Sequence, residues 1–250
     1  MKIGLIGCGN MARALARGWA EPLLCFDPVS ERAQALASET GGQALGSGVE
    51  VAVQADLIVL CHKPAQLATV AQELAPTAKA VASILAATPL VELRQAYPGI
   101  AVSRFLPSLP AEVRAGAMVK AIDAQTPEQD DDAVDELFAR LGVLVELPEA
   151  LVDVAMGLMS CAPAYVALVA EAQIDAGVRR GLPPEQASTL VVETLAGTAE
   201  LLRRRGFDTL AVRREVTSPG GITARGLAAL ERGGLRAAFS DALDAVLDKS

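Results

Sequence analysis

The stretch Ile3-Gly4-Leu5-Ile6-Gly7-Cys8-Gly9-Asn10-Met11-Ala12 decides how the chain is read. An apolar run of strand type enters a glycine turn, and a helical pattern opens immediately behind it, giving the G-x-G-x-x-A form of a dinucleotide-binding turn. Gly7 permits the tight strand-to-helix turn, Gly9 lets backbone approach a pyrophosphate, and Ala12 lets helix and sheet pack closely. Cys8, Asn10 and Met11 complete the loop, whose amides at the helix N-terminus face the phosphates. The competing reading is a glycine turn in some other α/β domain.

Working outward, short β-type runs alternate with helical patterns over the first part of the chain, the rhythm of successive βαβ units and a parallel sheet. Strands are expected at 3–6, 23–26, 57–61, 80–84, 100–105, 118–122 and 143–147. Thr126-Pro127-Glu128 has the marks of a helix start, and Asp130-Asp131-Asp132 sits in that helix's first turn, where negative charge suits the dipole. After about Pro148 the β-type runs stop and helical spacing takes over. This predicts a Rossmann-type dinucleotide-binding domain over 1–149 and an all-helical domain over 150–250. Helices are expected at about 164–180 and 185–205, the second closed by Gly206 with Arg203-Arg204-Arg205 complementing its C-terminal dipole.

Composition narrows the function. The chain has 250 residues, 52% of them apolar but only 3% aromatic, so Ala, Leu and Val must build the core. A formal charge of −8 argues against nucleic acid or anionic lipid as partners. Charged residues are expected to break every apolar run short of the roughly 18 residues that a membrane span needs. The N-terminus shows no export leader, and Cys8, Cys25, Cys61 and Cys161 lie scattered, with no C-x-x-C pair and a single histidine. The expectation is therefore a soluble cytoplasmic protein with reduced thiols and no metal.

Asp27 closes the second strand about twenty residues after Gly7, where an acid accepts hydrogen bonds from the adenosine ribose and repels a 2′-phosphate. That favours NADH. Ser30 and Arg32 follow, however, and can hold the 2′-phosphate of NADPH if the loop turns Asp27 away; Asp27 can equally just start the turn made by Pro28. Late in the chain, Val216-Thr217-Ser218-Pro219-Gly220-Gly221-Ile222-Thr223 leads into a helix. Its amides can form a nest for a carboxylate, with the Ser218 and Thr223 hydroxyls as neutral donors, or the segment is an interhelical turn with a Ser or Thr cap.

Four blocks then carry a resemblance: the turn from Gly7 to Ala12, the pair Lys63-Pro64, the run Arg104-Phe105-Leu106-Pro107-Ser108-Leu109-Pro110-Ala111, and the stretch from Val216 through Gly233-Gly234-Leu235-Arg236-Ala237-Ala238. Pro163-Ala164-Tyr165 adds a further match. From end to end the sequence resembles the pyrroline-5-carboxylate reductases, which reduce a cyclic imino acid, 1-pyrroline-5-carboxylate, to L-proline with NADPH or NADH. The resemblance implies that Ser218, Pro219, Gly220 and Gly221 grip the substrate carboxylate, that the Thr223 hydroxyl bonds the ring nitrogen, and that Cys161 lines the substrate. It also implies that Lys63, Pro64, Ala86, Pro107 and Ser108 lie along the nicotinamide half of the cofactor. Lys63 read by itself is equally a solvent-facing loop residue, and His62 is a plain strand-end histidine. A homodimer through interlocked helical domains, in some members a larger ring of dimers, is implied too.

The departures cluster in the same places. Ser108-Leu109 stands where the family usually has Asn-Thr, Met159-Ser160-Cys161-Ala162 where it has Ser-Gly-Ser-Gly, Ala87 where it has glycine, and Ile222 where it has threonine. These leave two alternatives beside proline synthesis: a reductase of a different cyclic imine, or a cofactor-binding paralogue without turnover. A β-hydroxyacid dehydrogenase is disfavoured, because no lysine or histidine lies between Ala164 and Ala176 to serve as its base.

Overall fold

The structure is a computed structural model and describes residues 1–126 and 132–248. Helix-start residues Pro127 and Glu128, and Asp130 and Asp131 of the acidic run, lie outside the described residues. The chain divides into two compact units, Met1–Pro163 and Ala164–Ser250.

In the first unit, β1 (Ile3–Ile6), α1 (Asn10–Trp19), β2 (Leu24–Phe26), α2 (Ser30–Thr40), β3 (Gln43–Ala44), α3 (Gly48–Gln54) and β4 (Leu57–Leu60) form the first βαβ series. They are followed by α4 (Leu67–Leu74), β5 (Ala80–Ser83), α5 (Leu90–Ala96), β6 (Ala101–Pro107), β7 (Gly116–Ile122), α6 (Asp132–Ala139) and β8 (Gly142–Pro148). The sheet order is β3-β2-β1-β4-β5-β6-β7-β8. From β1 the chain steps outward through β2 to β3 and then crosses back to β4 on the other side of β1, so a switch point lies between β1 and β4, the place where open α/β sheets bind ligands.

Both β1 and β4 are buried along their whole length, as strands covered by helices on both faces must be. One face packs Leu15 and Trp19 of α1, Leu36 of α2 and Phe138 of α6 over the sheet. Three of the chain's eight aromatic rings cluster here: Phe105 stacks on Phe138 at 3.8 Å, and Trp19 meets Phe138 edge-on at 5.6 Å. The Trp19 indole donates to the Leu137 carbonyl at 2.9 Å, so its polar edge is not stranded in the core. The other face packs Val51, Leu74, Leu93 and Tyr97 against Ile58, Leu60 and Val81.

Two expectations need correction. The sheet is not wholly parallel: β6 and β7 pair antiparallel, with Leu106 opposite Val119. Residues 108–115 between them hold only a short 3₁₀ turn, Leu109–Val113, whereas a parallel crossover takes roughly a dozen residues or more. Strand β3 joins the edge with no counterpart among the expected strands, because two residues carry no readable periodicity.

Beyond β8 come α7 (Val152–Ala155) and a π-helical turn, Met156–Ser160. Val152 and Ala155 pack with Leu90, Leu106, Val119 and Ala121, so this segment belongs to the first unit. The membrane expectation also needs correction. The helical run Glu149–Val178 is long and apolar enough to cross a membrane by length and composition, since no charge interrupts it between Asp153 and Glu171.

The helices of the second unit are the bulk of α8 (Ala162–Val178), then α9 (Pro184–Arg204), α10 (Thr209–Glu215), α11 (Ile222–Arg232) and α12 (Leu235–Leu247). Gly181 and Gly206 take positive φ after the two long helices. Arg203 and Arg204 pair with Glu200, and Arg205 with Glu215, so that basic cluster closes a helix end. Among the described residues of this unit only Ala187 and Val212 are buried, while Val166, Leu168, Leu190 and Phe239 face outward.

Candidate functional site

The strand ends around the switch point are held by backbone contacts that dictate residue type. Gly7 N–H donates to the Phe26 carbonyl at 2.8 Å, and Cys61 N–H to the Ile6 carbonyl at 2.8 Å, drawing the ends of β1, β2 and β4 together. Gly7 has φ +100°, and a Cβ there would stand 2.8 Å from the Cys61 carbonyl carbon and oxygen. Gly9, by contrast, has ordinary backbone angles and caps α1 without any side-chain bond. A Cβ on Gly9 would meet nothing within 4 Å. The two glycines thus answer different demands, fold for Gly7 and open approach for Gly9.

Asn10 is exposed at the mouth of the helix, Met11 half-buried, and Cys8 and Ala12 buried beneath. No acidic residue lies in the first turn of α1 to neutralise its N-terminal amides. This cradle fits a dinucleotide pyrophosphate: it offers N–H donors, the positive end of a ten-residue helix, and space where a side chain would intrude. The sulfur of Cys25 and burial push the Cys8 thiol up, and burial does the same to Cys61, so neither is a thiolate nucleophile.

Asp27 is 8% exposed, and both carboxylate oxygens are engaged: Oδ2 accepts from Cys8 N–H at 2.8 Å and Oδ1 from Val29 N–H at 2.9 Å. The second bond is the turn-starting role foreseen for this residue. The first ties the acid to the fingerprint loop, so Asp27 is not turned away. Ser30 and Arg32 stand exposed at the start of α2.

Along the sheet, Lys63 and Pro64 follow β4, both exposed, with Lys63 N–H donating to Gln66 Oε1 at 3.2 Å. His62 sits before them with Nδ1 on the Lys63 carbonyl at 2.9 Å, while Nε2 is buried without a protein partner. Burial lowers its pKa and keeps the ring neutral near pH 7. After β5, Ala86 and Ala87 are exposed, and Ala87 takes φ +50°, the left-handed region, where the family pattern has glycine.

The end of β6 differs from what the residue types alone suggested. Ser108 is buried, and its hydroxyl accepts from Ala117 N–H at 2.9 Å, facing β7. Pro107 is held from the opposite direction: Ser160 of the π-helical turn donates its hydroxyl to the Pro107 carbonyl at 2.9 Å. Cys161 follows, half-buried, its N–H reaching back to the Met156 carbonyl at 3.0 Å. A buried Arg104 ion-paired to Glu149 fastens the start of this segment to β6. The first unit therefore gathers Gly7 to Ala12, Asp27, Lys63, Pro64, Ala86, Pro107, Ser108 and Cys161 along the carboxyl ends of its strands.

The second unit holds the other expected residues. Gly220 takes φ +71°, Gly221 N–H donates to the Ser218 carbonyl at 3.0 Å, and a Cβ on Gly221 would stand 2.3 Å from Ser218 Oγ. The helix α11 begins at Ile222, capped by Gly221 with no side-chain bond, so its opening amides are not taken by a serine or threonine cap. Ser218, Pro219 and Gly220 are exposed, and Thr223 lies half-buried in the first turn. An exposed glycine turn running into an uncapped eleven-residue helix is an anion-binding arrangement with a hydroxyl beside it.

The chain matches two family models, pyrroline-5-carboxylate reductase dimerisation over residues 149–250 and NADP oxidoreductase coenzyme F420-dependent over residues 2–87. It is 34% identical over 259 residues to the pyrroline-5-carboxylate reductase of Synechocystis sp., covering 100% of this chain and 97% of that one. It is 33% identical to mouse pyrroline-5-carboxylate reductase 3, covering 98% and 93%. Among solved structures it is similar to the 1-pyrroline-5-carboxylate reductase of Streptococcus pyogenes, with TM-score 0.90, 29% identity and coverage of 100% and 97%. It is also similar to the Plasmodium falciparum pyrroline carboxylate reductase with NADP bound, with TM-score 0.88, 28% identity and coverage of 100% and 96%.

Proposed function

The chain belongs to the pyrroline-5-carboxylate reductase family, and from that premise we propose how its own residues carry the reaction. It is an NAD(P)H-dependent oxidoreductase acting on C=N bonds, and it reduces 1-pyrroline-5-carboxylate to L-proline. The reduced nicotinamide, when bound, supplies the hydride. Gly7, Cys8, Gly9, Asn10, Met11 and Ala12 form the turn that cradles the pyrophosphate at the start of α1, with the Gly7 and Cys8 amides taken by Phe26 and Asp27, and Asp27 holds the adenosine ribose. Lys63, Pro64, Ala86, Pro107 and Ser108 line the nicotinamide half. In Ser108 the contribution is a fixed backbone wall, because its hydroxyl is committed to Ala117.

Ser218, Pro219, Gly220 and Gly221 grip the substrate carboxylate through the free amides at the start of α11, with Cys161 lining the ring. The Thr223 hydroxyl holds the proton at the imine nitrogen. Protonation makes the ring carbon electrophilic, so a hydride on carbon and a proton on nitrogen complete the amine, and no side chain has to be consumed. Lys63 adds positive charge favouring an anionic substrate. The observation that carries this reading is the uncapped N-terminus of α11 behind Gly220, with a hydroxyl in its first turn.

The family's dimerisation region starts at residue 149, and the outward apolar side chains of α8 and α9 give a homodimer its contact surface. That covering accounts for the apolar run Glu149–Val178 without a membrane. We place the functional division at 149/150, with the cofactor half before it and the dimerisation and substrate half after it; a ring of dimers and a cytoplasmic location belong to the same proposal. Oxidation of NADH or NADPH by the full chain with 1-pyrroline-5-carboxylate tests it. Turnover lost in Thr223→Ala, with nucleotide binding retained, supports the reading. Tight nucleotide binding with no oxidation would overturn it in favour of another imine or a silent paralogue.

A further inference from the structure

We infer that Asp27 makes NADH, and not NADPH, the preferred reductant of this chain. The inference rests on the cofactor site proposed above and concerns only the adenosine end of the nucleotide. The family model over residues 2–87 and the NADP in the Plasmodium falciparum structure point the other way, so it separates this chain from those relatives.

The argument turns on whether the acid can leave. An aspartate at the end of the second strand accepts from the ribose hydroxyls when it faces the site, but a 2′-phosphate can still be admitted if the loop swings the carboxylate aside. Here Cys8 N–H, inside the phosphate-binding loop, holds Oδ2 at 2.8 Å, and Val29 N–H holds Oδ1 at 2.9 Å. Moving Asp27 would strand both amides, and the Cys8 amide is buried. The carboxylate is therefore fixed beside Gly7, whose own N–H is bonded to Phe26 immediately before it. An ionised carboxylate offers about four acceptor positions. With one position on each oxygen taken, the others remain for ribose hydroxyls.

A 2′-phosphate would bring up to two negative charges against a mostly buried anion, where water screens little. The compensating cation is weak. Arg32 is exposed in the first turn of α2, and Glu31 stands exposed beside it with the opposite charge. Ser30 supplies a hydroxyl but no charge. The buried, doubly bonded acid consequently outweighs the exposed base.

The test is calorimetric or fluorescence titration of the full chain with NADH and NADPH, without imine substrate, so failure of the reductase reaction leaves the readout untouched. Wild type should bind NADH at least about tenfold more tightly than NADPH. Asp27→Asn keeps an oxygen for one amide and removes the charge, and it should narrow that ratio at least about fivefold, chiefly through better NADPH binding. A second variant, Asp27→Ser, which removes the carboxylate outright, should shift the ratio in the same direction. Equal or tighter NADPH binding by wild type would overturn the inference. So would a ratio unmoved in a folded Asp27→Asn protein, or no binding of either nucleotide.

Discussion

Replacing each fingerprint glycine by alanine separates folding from cofactor binding, because the two added methyl groups meet opposite surroundings. In Gly7→Ala the Cβ lies 2.8 Å from the Cys61 carbonyl and 2.9 Å from His62 N, all backbone, on a residue with φ +100°. Backbone in that region costs a non-glycine residue about 1–3 kcal/mol, and overpacking adds about 1–3 kcal/mol. The total of about 2–6 kcal/mol amounts to a fall in melting temperature of roughly 4–24 °C for a chain of this size. In Gly9→Ala the Cβ meets nothing within 4 Å and φ is −76°. Stability should stay within about 1 kcal/mol and can rise slightly, since alanine restricts the unfolded chain. The methyl nevertheless occupies the approach to the α1 amides, so nucleotide affinity should fall about tenfold or more. Thermal denaturation and a nucleotide titration on both variants read the two effects independently. A Gly9→Ala protein destabilised as much as Gly7→Ala, or one binding nucleotide like wild type, would refute the reasoning.

Three further perturbations probe the scaffold around the site. Ala87→Gly relieves a left-handed residue worth about 1–2 kcal/mol against about 0.4–1 kcal/mol of added unfolded-state entropy; the melting temperature should rise by up to about 6 °C, and a clear fall would contradict this. Ser160→Ala removes the donor to Pro107 and should cost about 0.5–1.5 kcal/mol in urea denaturation, whereas an unchanged midpoint would mean the bond contributes nothing. Asp123 is held down to about 2 by a paired bond from Arg94, with Nη1 to Oδ2 at 2.6 Å and Nη2 to Oδ1 at 3.0 Å. Its folded pKa lies below the unfolded 3.8, so its contribution is present above about pH 4 and lost as pH falls through about 2. The stability gap between wild type and Asp123→Asn should therefore shrink across that window, and a gap that widens on acidification would refute the pairing.

How much of this was readable before the structure depends on the range of the interaction. Strands β1, β4 and β5 announce themselves because both faces are buried and every residue is apolar or small. The fingerprint is readable because each glycine answers a local demand. The antiparallel turn of β7 is not, since strand direction is set by the length of the 108–115 connection and not by any periodicity. Nor are the tethers Arg104–Glu149 and Ser160–Pro107, whose partners stand 45 and 53 residues apart. Ser108 is the instructive case. Its type suggested a small polar replacement beside the cofactor, but a hydroxyl on the last residue before an antiparallel return finds a backbone amide first. Asp27 was legible in part: the turn-starting reading describes Oδ1 on Val29 N–H, but the bond from Cys8 N–H to Oδ2 joins residues 19 apart and has no local signal.

The central claim is hydride delivery to a cyclic imino acid, and isotope transfer tests it most directly. With NADH deuterated at the transferable C4 position and 1-pyrroline-5-carboxylate as substrate, the account predicts L-proline carrying deuterium at the former imine carbon, formed by wild type and not by Thr223→Ala. Proline without that label, or oxidised nucleotide without proline, would contradict it.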